Sequence, residues 1–244
     1  MHRILVETQA LSSARPQLSD QARRHLKVVR LKEGEEIELF DGQGRWRRFS
    51  FVRGDLIPAG DVCEDSAASR RPLTLFACVT KGSRWDWTIE KATELGATRI
   101  VPVVSERTIV RIPADEREAK RQRWLRIAED AARQSDAKWL PEVAAPVDFA
   151  DAVNLAALCD TYVGALTNPP PCDMLSALET GRASCAARPL AVFVGPEGDF
   201  TPSELSALLS VATPVSFGST ILRAETAAIY GVSVLKSWMD SHEV

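Results

Sequence analysis

From residue 73 onward the chain alternates short apolar runs with segments of helical period, and few folds accept that pattern. Residues 73–79 form an apolar run. A strand that is apolar on both faces must be covered on both faces, so it belongs inside a parallel sheet flanked by helices. Lys81-Gly82-Ser83-Arg84 then turns the chain into a helix whose Trp85, Ile89 and Ala92 share one face. Gly96 stops that helix, and 100–104 is the next buried strand. A long charged helix over 115–134 carries an apolar stripe of Trp124, Ile127, Ala128 and Ala131. The alternation continues with an Ala-rich helix near 149–155, a strand near 162–166, a Pro-rich loop at 169–171 and a strand at 191–194. Thr201-Pro202-Ser203-Glu204 is a capping box with Pro at the first helical position, where its missing N–H costs nothing. A last strand at 214–217 leads into a C-terminal helix over about 225–239. The expectation is an α/β fold with a parallel sheet.

The stretch 63–72 (CEDSAASRRP) is small, polar and ends in proline, and the pattern before it differs. We read it as a linker dividing the chain into domains 1–71 and 72–244. In the first, Leu18-Ser19-Asp20 opens a short helix holding His25 and Leu26. Residues 36–40 alternate as a half-buried strand, Asp41-Gly42-Gln43-Gly44 is a hairpin turn, and 45–52 is the return strand, with a further strand near Val62. This is a small, mostly β domain. Alternation puts Arg45, Arg47, Phe49 and Phe51 on one face of the return strand and Trp46, Arg48 and Ser50 on the other. Arginines there suit nucleic-acid phosphates while an aromatic stacks on a base, although some of the aromatics must be core.

Charge is distributed unevenly. The net charge is −3, too near neutral for a polybasic coat, yet residues 1–71 carry +2, 72–138 carry +3 and 139–244 carry −8. A phosphate-bearing partner would touch the first part. Five cysteines, no two closer than 13 residues, give neither a disulfide framework nor a zinc knuckle, and the three histidines are scattered. No 18-residue apolar run exists. These features point to a cytoplasmic protein with no metal and no membrane segment.

Three segments carry candidate chemistry. Val194-Gly195-Pro196-Glu197-Gly198-Asp199-Phe200 lies between a buried strand and a capped helix, where glycines let backbone groups approach a ligand and where α/β folds bind ligands. The same pattern also fits an ordinary strand-to-helix turn. Gly218-Ser219-Thr220-Ile221-Leu222-Arg223-Ala224-Glu225-Thr226-Ala227 gathers polar groups at a helix start, where the dipole favours Glu225 in any protein. Lys81-Gly82-Ser83-Arg84, followed by Glu90 through Gly96, is not a P-loop, but Lys81 and Arg84 could meet phosphate.

Taken together, His25-Leu26-Lys27-Val28-Val29-Arg30-Leu31, Lys81-Gly82 through Glu94-Leu95-Gly96, Pro102 through Ser105-Glu106-Arg107, Gly195-Pro196-Glu197-Gly198 and Ile221-Leu222-Arg223-x-Glu225-Thr226-Ala227 resemble the small-subunit (16S) rRNA uridine N3-methyltransferase family of the SPOUT superfamily. The resemblance spans nearly the whole chain. It implies a PUA-like β-barrel ahead of a trefoil-knotted α/β methyltransferase domain, S-adenosylmethionine as cofactor, 16S rRNA within the small ribosomal subunit as substrate, and a homodimer. It also implies that Leu166, Gly195, Pro196, Glu197, Gly198, Gly218, Ile221, Leu222, Arg223, Glu225, Thr226 and Ala227 wrap the cofactor. Asp199 stands where the family usually has a second glycine, and Ser219-Thr220 where it has a basic or proline-containing turn.

Uridine N3 is a poor nucleophile until its proton leaves. Glu225 and Glu197 are therefore the candidate bases, and Arg223 or Arg84 could stabilise charge on the uracil oxygens, Arg223 being the named stabiliser. Arg24, Arg30, Arg45, Arg47, Lys81, Arg84 and Arg107 are the candidate RNA contacts. Other readings are methylation of another rRNA or tRNA position and a non-catalytic RNA-binding adaptor.

Overall fold

The structure, a computed structural model, describes residues 1–66, 71–167, 169–180 and 188–242, leaving aside the side chains of Gln21, His25, Lys27, Val28 and Val29. Residues 67–70 of the expected linker, Asn168 and Cys185 lie outside the described residues, as do four side chains of the His25–Leu31 motif. Backbone contacts divide the chain into two units, Met1–Arg70 with Glu129–Leu140, and Arg71–Ala128 with Pro141–Val244.

The first unit holds β1 (His2–Leu5), α1 (Thr8–Ser12), α2 (Asp20–Val29), β2 (Glu36–Phe40), β3 (Arg45–Val52), β4 (Asp55–Pro58) and β5 (Cys63–Glu64). The sheet runs β1-β2-β3-β4, with β5 paired to β3. Ser19 caps α2 by accepting the Ala22 N–H, which is what Ser before Asp20 leads one to expect. Ile4, Leu11, Ile37, Leu39, Phe49 and Leu56 form the core, so Phe49 is a packing residue, not an exposed platform.

Segment 129–140 belongs with this unit, whereas the sequence division put it in the second domain. The cause is a buried cation. Arg3, its side chain 4% exposed, donates from Nε to Glu38 Oε1 at 2.8 Å, from Nη1 to the Ala132 carbonyl at 2.7 Å and from Nη2 to the Ala137 carbonyl at 2.8 Å. Lys138 Nζ adds a second donor to Glu38 Oε1 at 2.6 Å. Gly44 closes the junction: its N–H donates to the Lys138 carbonyl, and a Cβ there would lie 2.3 Å from the Trp139 ring. With φ at +93° as well, only glycine suits this turn.

The second unit is built on parallel strands, β6 (Leu73–Cys78), β7 (Arg99–Val104), β8 (Glu142–Val143), β9 (Val147–Asp148), β10 (Asp160–Gly164), β11 (Leu190–Val194) and β12 (Ala212–Val215). Their order is β12-β10-β11-β6-β7-β8, with β9 also on β7. The helices are α3 (Ser83–Glu94), α4 (Arg117–Gln134), whose last residues count with the first unit, α5 (Phe149–Ala156), α6 (Met174–Thr180), α7 (Pro202–Leu209) and α8 (Ala224–His242). Alternate residues of each central strand enter two separate cores. Leu73, Leu75, Val192 and Val194 pack with Trp85 and Ile89 of α3, Trp124 of α4 and Val232 of α8. Phe76, Cys78, Ala191 and Phe193 pack with Ala152 of α5 and Leu208 of α7. That two-sided burial is why the strands read as unbroken apolar runs.

Two boundaries differ from expectation. The strands placed near 162–166 and 214–217 end at Gly164 and Val215, so Ala165-Leu166 and Ser216-Phe217 are loop. Among the described residues, no helix is long and apolar enough to cross a membrane.

Candidate active site

β10, β11 and β12 are neighbours in the sheet, and β10 lies between the other two. The chain leaves β10 for β11 on one side and returns from β11 to β12 on the other. Such a reversal opens a crevice beyond the carboxyl ends of the strands. A cavity of about 330 Å³ lies there. Gly164, Ala165 and Leu166 form one wall, Val194 to Glu197 with Asp199 a second, and Ser216 to Gly218 with Thr220 to Ala224 a third.

Most of the residues expected around a cofactor therefore converge, from three separate loops. Leu166, Gly195, Pro196, Glu197, Gly218, Ile221, Leu222, Arg223 and Ala227 line the cavity. Gly198, Glu225 and Thr226 are not among its lining residues. Gly198 instead faces Arg107, whose Nη1 donates to the Gly198 carbonyl at 2.9 Å and to the Phe200 carbonyl at 3.3 Å. Thr226 is exposed on α8.

Asp199 explains one departure from the glycine pattern. Its φ is +57°, the left-handed region that Asp tolerates better than most residues, and its Oδ1 accepts the Phe200 N–H at 2.7 Å. The loop keeps its shape without a second glycine.

Three charged groups gather beside the cavity. Arg84, in the first turn of α3, places Nη1 3.6 Å from Glu197 Oε1 and Nε 3.9 Å from Glu225 Oε1. The Glu225 side chain is 12% exposed against 49% for Arg84, and among the described residues Glu225 Oε2 is buried with no hydrogen-bond partner. Glu225 is the second residue of α8, where the helix dipole favours a carboxylate. Arg223 is exposed at the rim. Proximity of Arg84 to both carboxylates could not be read from sequence, because 113 residues separate Arg84 from Glu197.

Among the described residues, thiol and metal chemistry find no site here. Cys78 is buried, and burial pushes its thiol up to about 12, so it is no nucleophile at neutral pH. Among the described residues, no group of three or more His, Cys, Asp or Glu side chains could hold a metal ion.

Residues 67–236 match the RNA methyltransferase domain family, and residues 18–51 match the RNA methyltransferase PUA domain. Ribosomal RNA small subunit methyltransferase E of Synechocystis is 32% identical over 98% of this chain and 78% of its own length. The chain belongs to the ribosomal RNA small subunit methyltransferase E family. The Bacillus subtilis member is 31% identical over 85% of this chain and 84% of its own. Two solved structures share the fold. The Neisseria gonorrhoeae enzyme bound to S-adenosyl methionine has a TM-score of 0.79 at 25% identity, covering 98% of both chains. A Legionella pneumophila protein in complex with the cofactor SAM has a TM-score of 0.76 at 26% identity, covering 97% of this chain and 96% of that one.

In this methyltransferase E family member, the arginines expected to contact RNA fall into different settings. Lys81 and Arg30 are exposed. Arg24 is exposed and bonds only locally, from Nε to the Asp20 carbonyl. Arg45 pairs with Glu64 at 3.3 Å, and Arg47 donates to the carbonyls of Gly60 and Leu11. Arg47 thus already holds the first unit's backbone together.

Arg107 braces the loop that carries Gly195 to Asp199. Arg107→Ala is expected to raise the KM for S-adenosylmethionine about tenfold, the factor for about 1.4 kcal/mol of charged hydrogen bonding. The KM for RNA should stay nearly unchanged in the same steady-state assay. The opposite split would return Arg107 to the RNA face.

Proposed function

We propose that this chain transfers a methyl group from S-adenosylmethionine to N3 of a uridine in small-subunit (16S) ribosomal RNA. The observation that carries the reading is the cavity walled by three loops at adjacent strand ends, next to Glu225, whose buried Oε2 has no hydrogen-bond partner among the described residues. The family and its solved members support the cofactor and the ribosomal RNA class.

The residues fit the cofactor. The cavity's size lies at the lower end for small-molecule sites, and Val194, Val215, Phe217 and Leu222 give it an apolar surface for a nucleoside and a thioether. Gly164 lets the wall close in, since a Cβ there would lie 2.3 Å from the Phe217 ring. When bound, S-adenosylmethionine supplies an electrophilic methyl carbon on a cationic sulfur. Glu225, through Oε2, accepts the N3 proton of the uracil. Arg223, at the rim, meets the charge that then develops on the uracil oxygens.

A second copy of the chain covers the cavity in this reading. Leu166 and Ile221 both line it, yet they are 67% and 81% exposed, and Tyr230 of α8 is 38% exposed. The loops take the knotted threading that the family resemblance implies, and the protein works in the cytoplasm, where its substrate is assembled.

N3 methylation blocks Watson–Crick pairing, which gives a direct test. Small subunits from cells lacking this modification, incubated with the protein and S-adenosylmethionine, should gain one strong reverse-transcription stop next to a uridine of the 16S rRNA. A stop at another base, or stops appearing only on transfer RNA, would move the substrate assignment elsewhere. Cofactor that fails to bind at millimolar concentration would favour the RNA-binding adaptor.

A further inference from the structure

Arg84 stands between the two carboxylates of the site, on a different element from either. It approaches Glu197 on the loop after β11 and Glu225 at the start of α8, while its own backbone is in the first turn of α3. Both separations, 3.6 Å and 3.9 Å, are ion-pair distances outside hydrogen-bond range. Half-exposed pairs of this kind contribute little to folding. A role in stability is therefore a poor reason for the arrangement.

Its effect on Glu225 is geometric. Arg84 lies 3.9 Å from Oε1, the nearer of the two oxygens, and its attraction favours the carboxylate rotation that keeps Oε1 rather than Oε2 toward the cation. Oε2 is the atom left buried without a partner. An unsatisfied buried oxygen in a native structure calls for a reason, and an acceptor held ready for a substrate proton is one. Glu197 in turn approaches Arg84 through a different nitrogen, Nη1. α3 carries Arg84, Asp86, Glu90, Lys91 and Glu94 with Lys81 ahead of it, the β11 loop carries Glu197 and Asp199, and Arg223 lies ahead of α8, which itself carries Glu225, Lys236 and Asp240. Of the cations among these, Arg84 is the one within ion-pair distance of Glu225.

We propose that Arg84 is a positioning residue for methyl transfer: it orients Glu225 so that Oε2 faces the uracil N3, and Glu197 serves to hold Arg84 in that place. This rests on the reading of Glu225 as the base. It replaces Glu197's candidacy as a second base and turns Arg84 from an RNA contact into part of the proton-accepting machinery.

The test is single-turnover methyl transfer to unmodified small subunits at saturating RNA and cofactor. Arg84→Gln should slow the step about 10- to 100-fold, as a misplaced reacting group does. The KM for RNA and the affinity for S-adenosylmethionine, measured by calorimetry, should move less than about threefold. Arg84→Lys should recover part of the lost rate, because it restores the charge but not the planar fork. Glu197→Gln should slow the wild-type step and have no further effect in the Arg84→Gln background, the non-additivity expected of one linked unit. Thermal unfolding of each variant should match the parent.

A raised KM for RNA with an unchanged saturated rate would overturn the proposal and leave Arg84 as an RNA contact. Additive effects of the two substitutions would overturn the linkage through Glu197. Glu225→Gln separates the two levels: if it transfers methyl normally, the base assignment has failed. If it is inactive while Arg84→Gln keeps its full rate, the base stands and only the positioning role falls.

Discussion

Glu225→Gln is expected to slow single-turnover methyl transfer about 10²- to 10⁴-fold, the range a positioned general base contributes. Glutamine keeps the size and polarity of the side chain but cannot take a proton at Oε2, the buried atom without a partner. Folding and cofactor affinity should survive, because among the described residues the nearest charged partner, Arg84, is half exposed and 3.9 Å away. The expected signature is a low rate at saturating RNA with S-adenosylmethionine affinity within about threefold of the parent. Equal loss of rate and cofactor affinity would instead mark Glu225 as a wall of the cofactor site.

The second large effect is on stability. Arg3→Met should destabilise the first unit by about 3 to 5 kcal/mol, the usual consequence of removing one partner from a buried ion pair. Methionine can fill the space under Phe40, over whose ring the guanidinium now lies at 4.1 Å. It cannot donate to the carbonyls of Ala132 and Ala137, and Glu38, 2% exposed, would keep only Lys138 as a cationic partner. Chemical denaturation followed by tryptophan fluorescence should show the loss, since Trp46 and Trp139 both report on this unit. Replacing Arg3 and Glu38 together with apolar residues should cost less than Arg3→Met alone, because the buried carboxylate is then gone and Lys138 keeps Asp136 at 3.2 Å. A single variant as stable as the parent would show that segment 129–140 is held mainly by other contacts.

Much of the second unit's architecture could be read from residues alone because its physics is local. Runs such as Leu73 to Cys78 are apolar on both faces, and Thr201 with Glu204 announces a helix start that the structure reproduces with both reciprocal hydrogen bonds. The loops that line the cavity were singled out in the sequence, but on spacing alone Gly195-Pro196-Glu197 fitted an ordinary turn as well, and it was the family resemblance that gathered them with Gly218 to Arg223 around one ligand.

What stayed hidden depends on distant pairs. Nothing near Arg3 in sequence reveals that it reaches Ala132 and Ala137, so the membership of 129–140 in the first unit was missed. β1 and β4 are four residues each, HRIL and DLIP, too short for alternation to declare them. Gly198 and Gly195 look alike in the motif, yet one turns toward Arg107 and the other toward the cavity, because loop direction is set by the hydrogen bonds of Arg107. The strand ends at Gly164 and Val215 were misplaced by two residues because apolar Ala165, Leu166 and Phe217 continue the run while serving the cavity.

In the proposed reaction the three loops present a methyl group to uridine N3 beside Glu225. It is tested most directly by giving the protein S-adenosylmethionine labelled in the methyl group together with small subunits lacking the modification, then digesting the RNA and identifying the labelled nucleoside by mass spectrometry. N3-methyluridine is the expected labelled product, close to one per subunit, with almost none from Glu225→Gln. Label in a ribose-methylated nucleoside or in another base, or full labelling by Glu225→Gln, would contradict it.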